Sequence, residues 1–227
     1  MFERASVKQK GKESFKSSYW YSVIAAFIFN LFFVSTSSVT YSKKDEILSE
    51  GDFAGLDASE ALIVLLVVLG IISTIMLVMF LVKLFLLNPL KVGCDRFFLS
   101  NQDQNAPLSE LGFAFKNNYI SSALGLFLSD ILIGIGFALF FIPGCILSYS
   151  YRMVPYILAD EPGIGAIEAL KRSRHMMQGN KWAAFVFDLS FIGWYILSIF
   201  TLGLLSFFYV NPYKYNANAA LYKAIKR

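Results

Sequence analysis

One histidine (His175) and two cysteines (Cys94 and Cys145) are all the imidazole and thiol in 227 residues. With no Cys/His cluster, a zinc or other imidazole–thiolate site lacks ligands, and no cofactor is expected. A glycine-rich phosphate loop, a serine elbow and a His–carboxylate motif at metalloprotease spacing are missing too. These absences argue against an enzyme. Charge is sparse: 16% of residues are Asp, Glu, Lys or Arg, and the net charge is +4. The cations lie in short connectors, a distribution that suits anionic lipid headgroups and not nucleic acid. No polar segment exceeds about 35 residues, too few for a hydrophobic core of its own. A disulfide would need both cysteines in an oxidising compartment. Cys145 falls in an apolar run and Cys94 in a connector expected on the cytoplasmic side, so two free thiols are expected.

What the chain does have is apolar length. Hydrophobic residues make up 56% of it, mean hydropathy is +0.57, and aromatics reach 17%. Four apolar stretches dominate: Tyr19–Val39, Ala61–Leu87, Ile120–Leu147 and Trp182–Val210. A helix needs about 20 apolar residues to cross the hydrocarbon core of a bilayer, so the expected class is all-α, a polytopic transmembrane helical bundle. Arg4, Lys8, Lys10, Lys12 and Lys16 precede the first stretch and loosely imitate a signal peptide. An Ala-x-Ala-like cleavage site is missing, and an uncleaved first span is the better reading.

In bacterial proteins Lys and Arg accumulate on the cytoplasmic side. That places the N-terminal segment inside. The connector Thr40–Glu60, with two lysines against six acids, goes outside, and Asn88–Asn118 (Lys91, Arg96, Lys116) goes inside again. The connector after Ile120–Leu147 holds Arg152, Lys171, Arg172, Arg174 and Lys181, and the tail holds Lys214, Lys223, Lys226 and Arg227. Both are inside only if each preceding stretch crosses twice. The expected turns are near Gly134-Ile135-Gly136 and at Thr201-Leu202-Gly203, the latter separating Trp182–Phe200 from Leu204–Tyr222. Six short helices in three hairpins result, with both termini cytoplasmic; four long helices are the alternative.

An internal repeat points the same way. Phe15-Lys16-Ser17-Ser18-Tyr19-Trp20 recurs as Phe115-Lys116-Asn117-Asn118-Tyr119-Ile120, and more loosely as Met177-Gln178-Gly179-Asn180-Lys181-Trp182. Each apolar run then meets a proline, in Asn88-Pro89, Ile142-Pro143 and Asn211-Pro212. The unit reads as interfacial helix, hairpin, proline kink; the alternative is that Lys–polar–aromatic merely opens any span. Pro143-Gly144 reads as a packing kink on a protein-facing surface, where the freed carbonyl finds a partner. The whole chain, 1–227, is one membrane-embedded domain with hairpin units of approximately 1–100, 107–160 and 163–227.

Ionisable groups inside apolar runs are the candidate site. An intramembrane charge costs on the order of 3 kcal/mol and faces protein or water. Asn30 and Asp130 fall at equivalent depths of the repeat and mark a polar, proton- or cation-responsive pocket, with Lys83 or Arg152 as partners. Asp188 reads instead as an interfacial residue capping a neighbouring helix, and Lys83 as a side chain snorkelling to the inner headgroups. Gly163–Gly179, with Ile167, Leu170 and Met177 at helical spacing, reads as an amphipathic helix lying on the inner leaflet. There Lys171, Arg172, Arg174 and nearby Lys181 would contact anionic lipid, and His175 would be interfacial.

Longer motifs carry a resemblance. Phe141-Ile142-Pro143-Gly144, the run from Tyr149 to Asp160, Glu168-Ala169 followed by Ser173, and the run from Met177 to Trp182 form one set. Asp188 to Trp194, Thr201-Leu202-Gly203, Asn211-Pro212-Tyr213 and Ala220-Leu221-Tyr222 form another, with Asn88-Pro89-Leu90 through Arg96-Phe97-Phe98 in the first half. Together these resemble the DUF975 family of bacterial integral membrane proteins, found mostly in Gram-positive bacteria. The chain also looks distantly like the membrane portion attached to some glycerophosphodiester phosphodiesterases, without their catalytic domain. Gly163-Ile164-Gly165-Ala166 departs from the family, which usually offers a serine N-cap there; glycine is a tolerable cap.

The resemblance implies a multi-pass protein of the cell membrane and little about activity. The expected role is non-enzymatic: a scaffold, regulator or accessory subunit touching lipid, a membrane protein partner or a second copy of itself. A small-solute or ion carrier is the alternative, since repeats and broken helices recur in carriers. An enzyme acting on lipid comes third.

Overall fold

Every regular element in the computed structural model is helical, over the residues it describes: 4–33, 58–103 and 105–226, with only the backbone described at 27–33, 58, 60 and 61. Helix α1 (Arg4–Ser17) leads into α2 (Tyr19–Phe33). Helix α3 (Ala58–Val82) runs through a π-helical turn, Lys83–Leu87, straight into α4 (Asn88–Ser100). A 3₁₀ turn (Leu108–Gly112) and the short α5 (Phe113–Lys116) follow. Then come α6 (Tyr119–Leu139), α7 (Phe141–Ser150), α8 (Val154–Asp160) and α9 (Ala166–Met176). Last are α10 (Lys181–Leu189), α11 (Ile192–Phe200), a second π-helical turn (Ser206–Val210) and α12 (Asn211–Ile225). Among these residues three helical stretches are long and apolar enough to cross a membrane: Leu62–Ser100, Tyr119–Leu139 and Lys181–Phe200.

Each copy of the repeat coincides with a helix break. Ser18 separates α1 from α2, Asn117 and Asn118 separate α5 from α6, and Gly179 lies between α9 and α10. Asn118 takes a left-handed conformation (φ 61°, ψ 32°), which asparagine tolerates better than most residues, and its side chain donates to the Ile164 carbonyl at 3.3 Å. Gly179 does the same at φ 76°.

The two Asn-Pro pairs share a second device. Proline cannot donate to the carbonyl four residues back, and its ring crowds that carbonyl. The helix ahead of each pair widens to π geometry: the Asn88 N–H bonds Lys83 O and the Asn211 N–H bonds Ser206 O. The carbonyl four residues before Pro89, Phe85 O, which the proline cannot serve, accepts from the Tyr119 hydroxyl at 2.8 Å. Asn88 then ties the junction to α6, its amide donating to Ala123 O at 3.2 Å.

Helices α6 and α7 form a tight antiparallel pair, and here two expectations are corrected. The break falls at Phe140 (φ −157°, ψ 153°), not at Gly134-Ile135-Gly136. Gly136 is consumed in the helix contact: a Cβ there would lie 3.0 Å from the Gly144 Cα and 2.7 Å from a Leu147 methyl. Pro143 is not a mid-helix kink either; it sits in the first turn of α7, where an N–H has no helical partner to lose. The turn at Thr201-Leu202-Gly203 stands where the sequence put it, with Leu202 and Gly203 at φ 51° and 85° and the Gly203 N–H closing on Ser198 O at 2.9 Å.

The core is not where the apolar runs are. No residue in the most apolar window of the stretch Leu62–Ser100 is buried. The buried cluster draws on α1, α4, the segment Met153–Ala159, one face each of α9 and α10, and α12. Phe97, Phe98, Ile157, Leu158, Phe187, Phe191, Leu221 and Tyr222 are fully enclosed. Segments individually too short for a core of their own therefore pool one. Helix α1 is clamped along α12: a Cβ on Gly11 would lie 2.6 Å from the Ala217 Cα.

The amphipathic segment is also corrected. Leu170 and Met177 face the core of the protein and not lipid, beside Ala169 and Ser173; of the apolar residues at helical spacing only Ile167 is exposed. Gly165 does occupy the N-cap of α9.

Candidate functional site

The polar side chains singled out from sequence fall into two separate pairs. Lys83, on the π-helical turn, meets Asp130 of α6 with Nζ 2.9 Å from the carboxylate. Both remain about half exposed, at 56% and 45%. They border a groove of about 200 Å³ walled by Phe80, Leu84, Phe127 and Ile131, with Asn88 at its base. Lys83 is thus engaged by a carboxylate instead of reaching freely for headgroups.

Arg152, in the turn between α7 and α8, makes a bidentate pair with Asp188 of α10, at 2.6 and 3.0 Å. This pair is more enclosed, with side chains 15% and 25% exposed. The Tyr149 hydroxyl donates to Asp188 at 3.1 Å, Lys214 of α12 stands 3.8 Å away, and Arg152 also donates to Asn218 at 2.9 Å. Asp188 therefore fastens three elements together and caps no helix. The two pairs share no residue: of the two partners offered for Asp130 the fold supplies Lys83, and Arg152 goes to Asp188 instead. Asn30 lies on α2 with its side chain outside the described residues.

The proposed lipid-contact residues are distributed unevenly. Lys171 and Arg174 are exposed on α9 and Lys181 half-exposed at the start of α10. Arg172 turns inward to Glu161, 2.5 Å away. His175 is exposed in the last turn of α9, beside Arg174, where a cation complements the helix dipole.

Three clusters were not anticipated. Asn101 donates to Asn216 at 2.9 Å and to Ser14 O at 3.0 Å, and accepts from the Ser18 hydroxyl; Asn216 in turn donates to Ser22 at 3.2 Å. All these residues are buried, and they lock α1, α2, the end of α4 and α12 together. Near the C-terminus, Lys226 reaches Asp160 at 2.5 Å and Glu161 at 3.3 Å, while the Tyr222 hydroxyl donates to Asp160 at 3.0 Å. Burial alone would raise the Asp160 pKa, but the Lys226 ammonium and Tyr222 hydroxyl outweigh it and hold the carboxyl below its usual range. The hydrogen bond to Asp160, against a smaller burial penalty, raises Lys226. Third, Asp95 of α4 is buried with one carboxylate oxygen lacking a hydrogen-bond partner. Asp95, Asp160 and Tyr222 fall inside motifs that gave no hint of their pairing, and Asn101 and Asn216 stand 115 residues apart in sequence, so only the fold reveals the clusters.

Both cysteines are unpaired, Cys94 buried and Cys145 partly so. Among the described residues no three His, Cys, Asp or Glu side chains gather as a metal site would need.

The chain belongs to the DUF975 family, described as proteins of unknown function, whose model matches residues 5–227. No curated protein and no solved structure matches the chain significantly.

Proposed function

We propose that this protein is a non-enzymatic integral membrane protein of the cell membrane that acts as a scaffold, regulator or accessory subunit through lipid or partner contacts. Its helices form three hairpins, six short crossings in all, with both termini and the pooled core on the cytoplasmic side. The observation that carries the reading is the division of labour among charged groups. Half-buried carboxylates at the edge of the core (Asp160, Glu161, Asp188) are engaged by cations that fix helix to helix, which leaves these three no free role in proton transfer; the fully buried Asp95 is the exception. Lys10, Lys12, Lys16, Lys171 and Arg174 stay exposed around the rim, where anionic headgroups would meet them.

Energetics supports placing the core outside the hydrocarbon. Burying a phenylalanine or leucine contributes about 1.5–3 kcal/mol when the alternative is water. Against lipid tails, which are as apolar as leucine, that gain largely vanishes. A chain that encloses its amphipathic segments and leaves α3 bare behaves as expected if the first face water and the second lipid. The test is thermal unfolding in nanodiscs of phosphatidylcholine with and without phosphatidylglycerol. Anionic lipid should raise Tm; indifference to lipid charge contradicts the reading.

A small-solute carrier is the second reading, favoured by the Lys83–Asp130 pair beside its apolar groove. Flux into proteoliposomes compared between wild type and Asp130→Asn tests it, and equal flux in both removes that pair from any pathway.

A further inference from the structure

Cations drawn against the body of the protein repeatedly find a carboxylate: Arg96 with Glu110, Arg152 and Lys214 with Asp188, Arg172 with Glu161, Lys223 with Asp103 and Lys226 with Asp160. Lys8 of α1 breaks the pattern. It is half-buried, and its ammonium lies 4.7 Å above the Phe191 ring with no carboxylate of the described residues in reach. Glu13, on the same helix, is engaged by Gln9 at 3.1 Å on the exposed side. Asp188 is nearby in sequence but occupied by Arg152 and Lys214. Burial lowers the Lys8 pKa, the mark of a cation partly stripped of water and given no anion in exchange among the described residues.

Lys8 opens onto a groove of about 400 Å³ between α1 and the junction of α10 with α11, lined by Arg4, Ala5, Lys8, Val186, Leu189 and Ser190. One wall thus carries two cations one helical turn apart. The other is apolar, and its one hydroxyl, Ser190, already donates to its own helix at Phe187 O. The frame is rigid: α1 is clamped by the Gly11–Ala217 approach, and the Tyr213 hydroxyl donates to the Lys8 carbonyl at 3.4 Å. Trp182, which opens α10, is exposed as headgroup-level tryptophans are.

We infer that this groove seats one anionic phospholipid, its phosphate between Arg4 and Lys8 and the start of an acyl chain along Val186 and Leu189. A free inorganic anion would meet the same two cations, but the apolar wall gives it neither hydrogen bonds nor a reason to be held. A lipid uses both walls. The inference rests on the lipid-contact reading and gives it a location that differs from the α9 cations.

The test is retention of phosphatidylglycerol against phosphatidylcholine by the full-length protein in detergent, read by native mass spectrometry. Wild type should retain phosphatidylglycerol about tenfold better, a modest return on two cations near a lipid surface. R4Q/K8Q should lose that preference, Lys8→Arg should keep it, and K171Q/R174Q should leave it unchanged. Equal Tm of wild type and R4Q/K8Q in pure phosphatidylcholine shows that the variant is folded; should it be unstable, R4Q alone, exposed and away from the core, must weaken the preference. A preference that persists in R4Q/K8Q overturns the site while leaving the broader reading intact. No preference in wild type overturns both. Displacement of the lipid by glycerol phosphate at equal concentration shows a free-phosphate site and overturns the lipid assignment.

Discussion

Asp188 is approached by Arg152 from the α7–α8 turn, Tyr149 from α7 and Lys214 from α12, so one carboxylate holds three parts of the chain. Removing its charge strands Arg152 in a site only 15% exposed. Asp188→Asn should cost about 3 kcal/mol, the lower end for a stranded member of a buried pair. In an Arg152→Gln background the same change should cost much less, because the interaction is already gone; unfolding in detergent reads both. The Asp160–Lys226 contact has a pH signature. A depressed carboxyl stabilises above its unfolded pKa of about 3.9, and that share is lost as pH falls through the lower folded value. Lys226, raised, contributes below about 10.4 and loses its share as pH climbs through the folded value. The Tm gap between wild type and Asp160→Asn should therefore be flat from about pH 5 to 9 and close in acid below about pH 4.

At the scale of elements, the Asn-Pro junctions explain how a long helix passes from bare α3 into the enclosed α4. Tyr119→Phe removes the donor that serves Phe85 O and should cost about 1 kcal/mol. In a Pro89→Ala background that cost should disappear, since an alanine N–H can serve the carbonyl itself; a double-mutant cycle on Tm decides. The clamp on α1 gives a second case. Gly11→Val forces a side chain into the Ala217 backbone and should release α1, seen as faster hydrogen exchange across residues 4–17 while α6 is unchanged. Element identity was legible because apolar runs, lysine-aromatic starts and Asn-Pro pairs are local signals. The Thr201-Leu202-Gly203 turn was legible for the same reason, a glycine at a helix end. Gly134-Ile135-Gly136 misled because glycine serves close packing as well as turning, and only the partner helix shows which. The α9 face misled likewise: helical spacing identifies an apolar stripe but not whether protein or lipid covers it.

For the whole molecule, the sequence announces lipid as a solvent through its long apolar runs, and three helices of sufficient length bear that out. It could not announce the core. Residues as distant as Ser14, Asn101 and Asn216 meet only when the segments that carry them return to one place, and no single segment carries that information. The candidate site was legible only in outline: the sequence offered Lys83 or Arg152 for Asp130 and no partner for Asp188, and the fold sets Lys83 beside the first and Arg152 beside the second. If hairpins return the basic connectors to the cytoplasmic leaflet, one-sided thiol labelling is the most direct measurement. In a Cys145→Ser background, where Cys94 is buried, single cysteines at Asp52, Arg174 and Lys226 are probed with a membrane-impermeant maleimide. The account predicts that position 52 labels on intact cells and that 174 and 226 label only after permeabilisation. Labelling of position 174 from outside would contradict it.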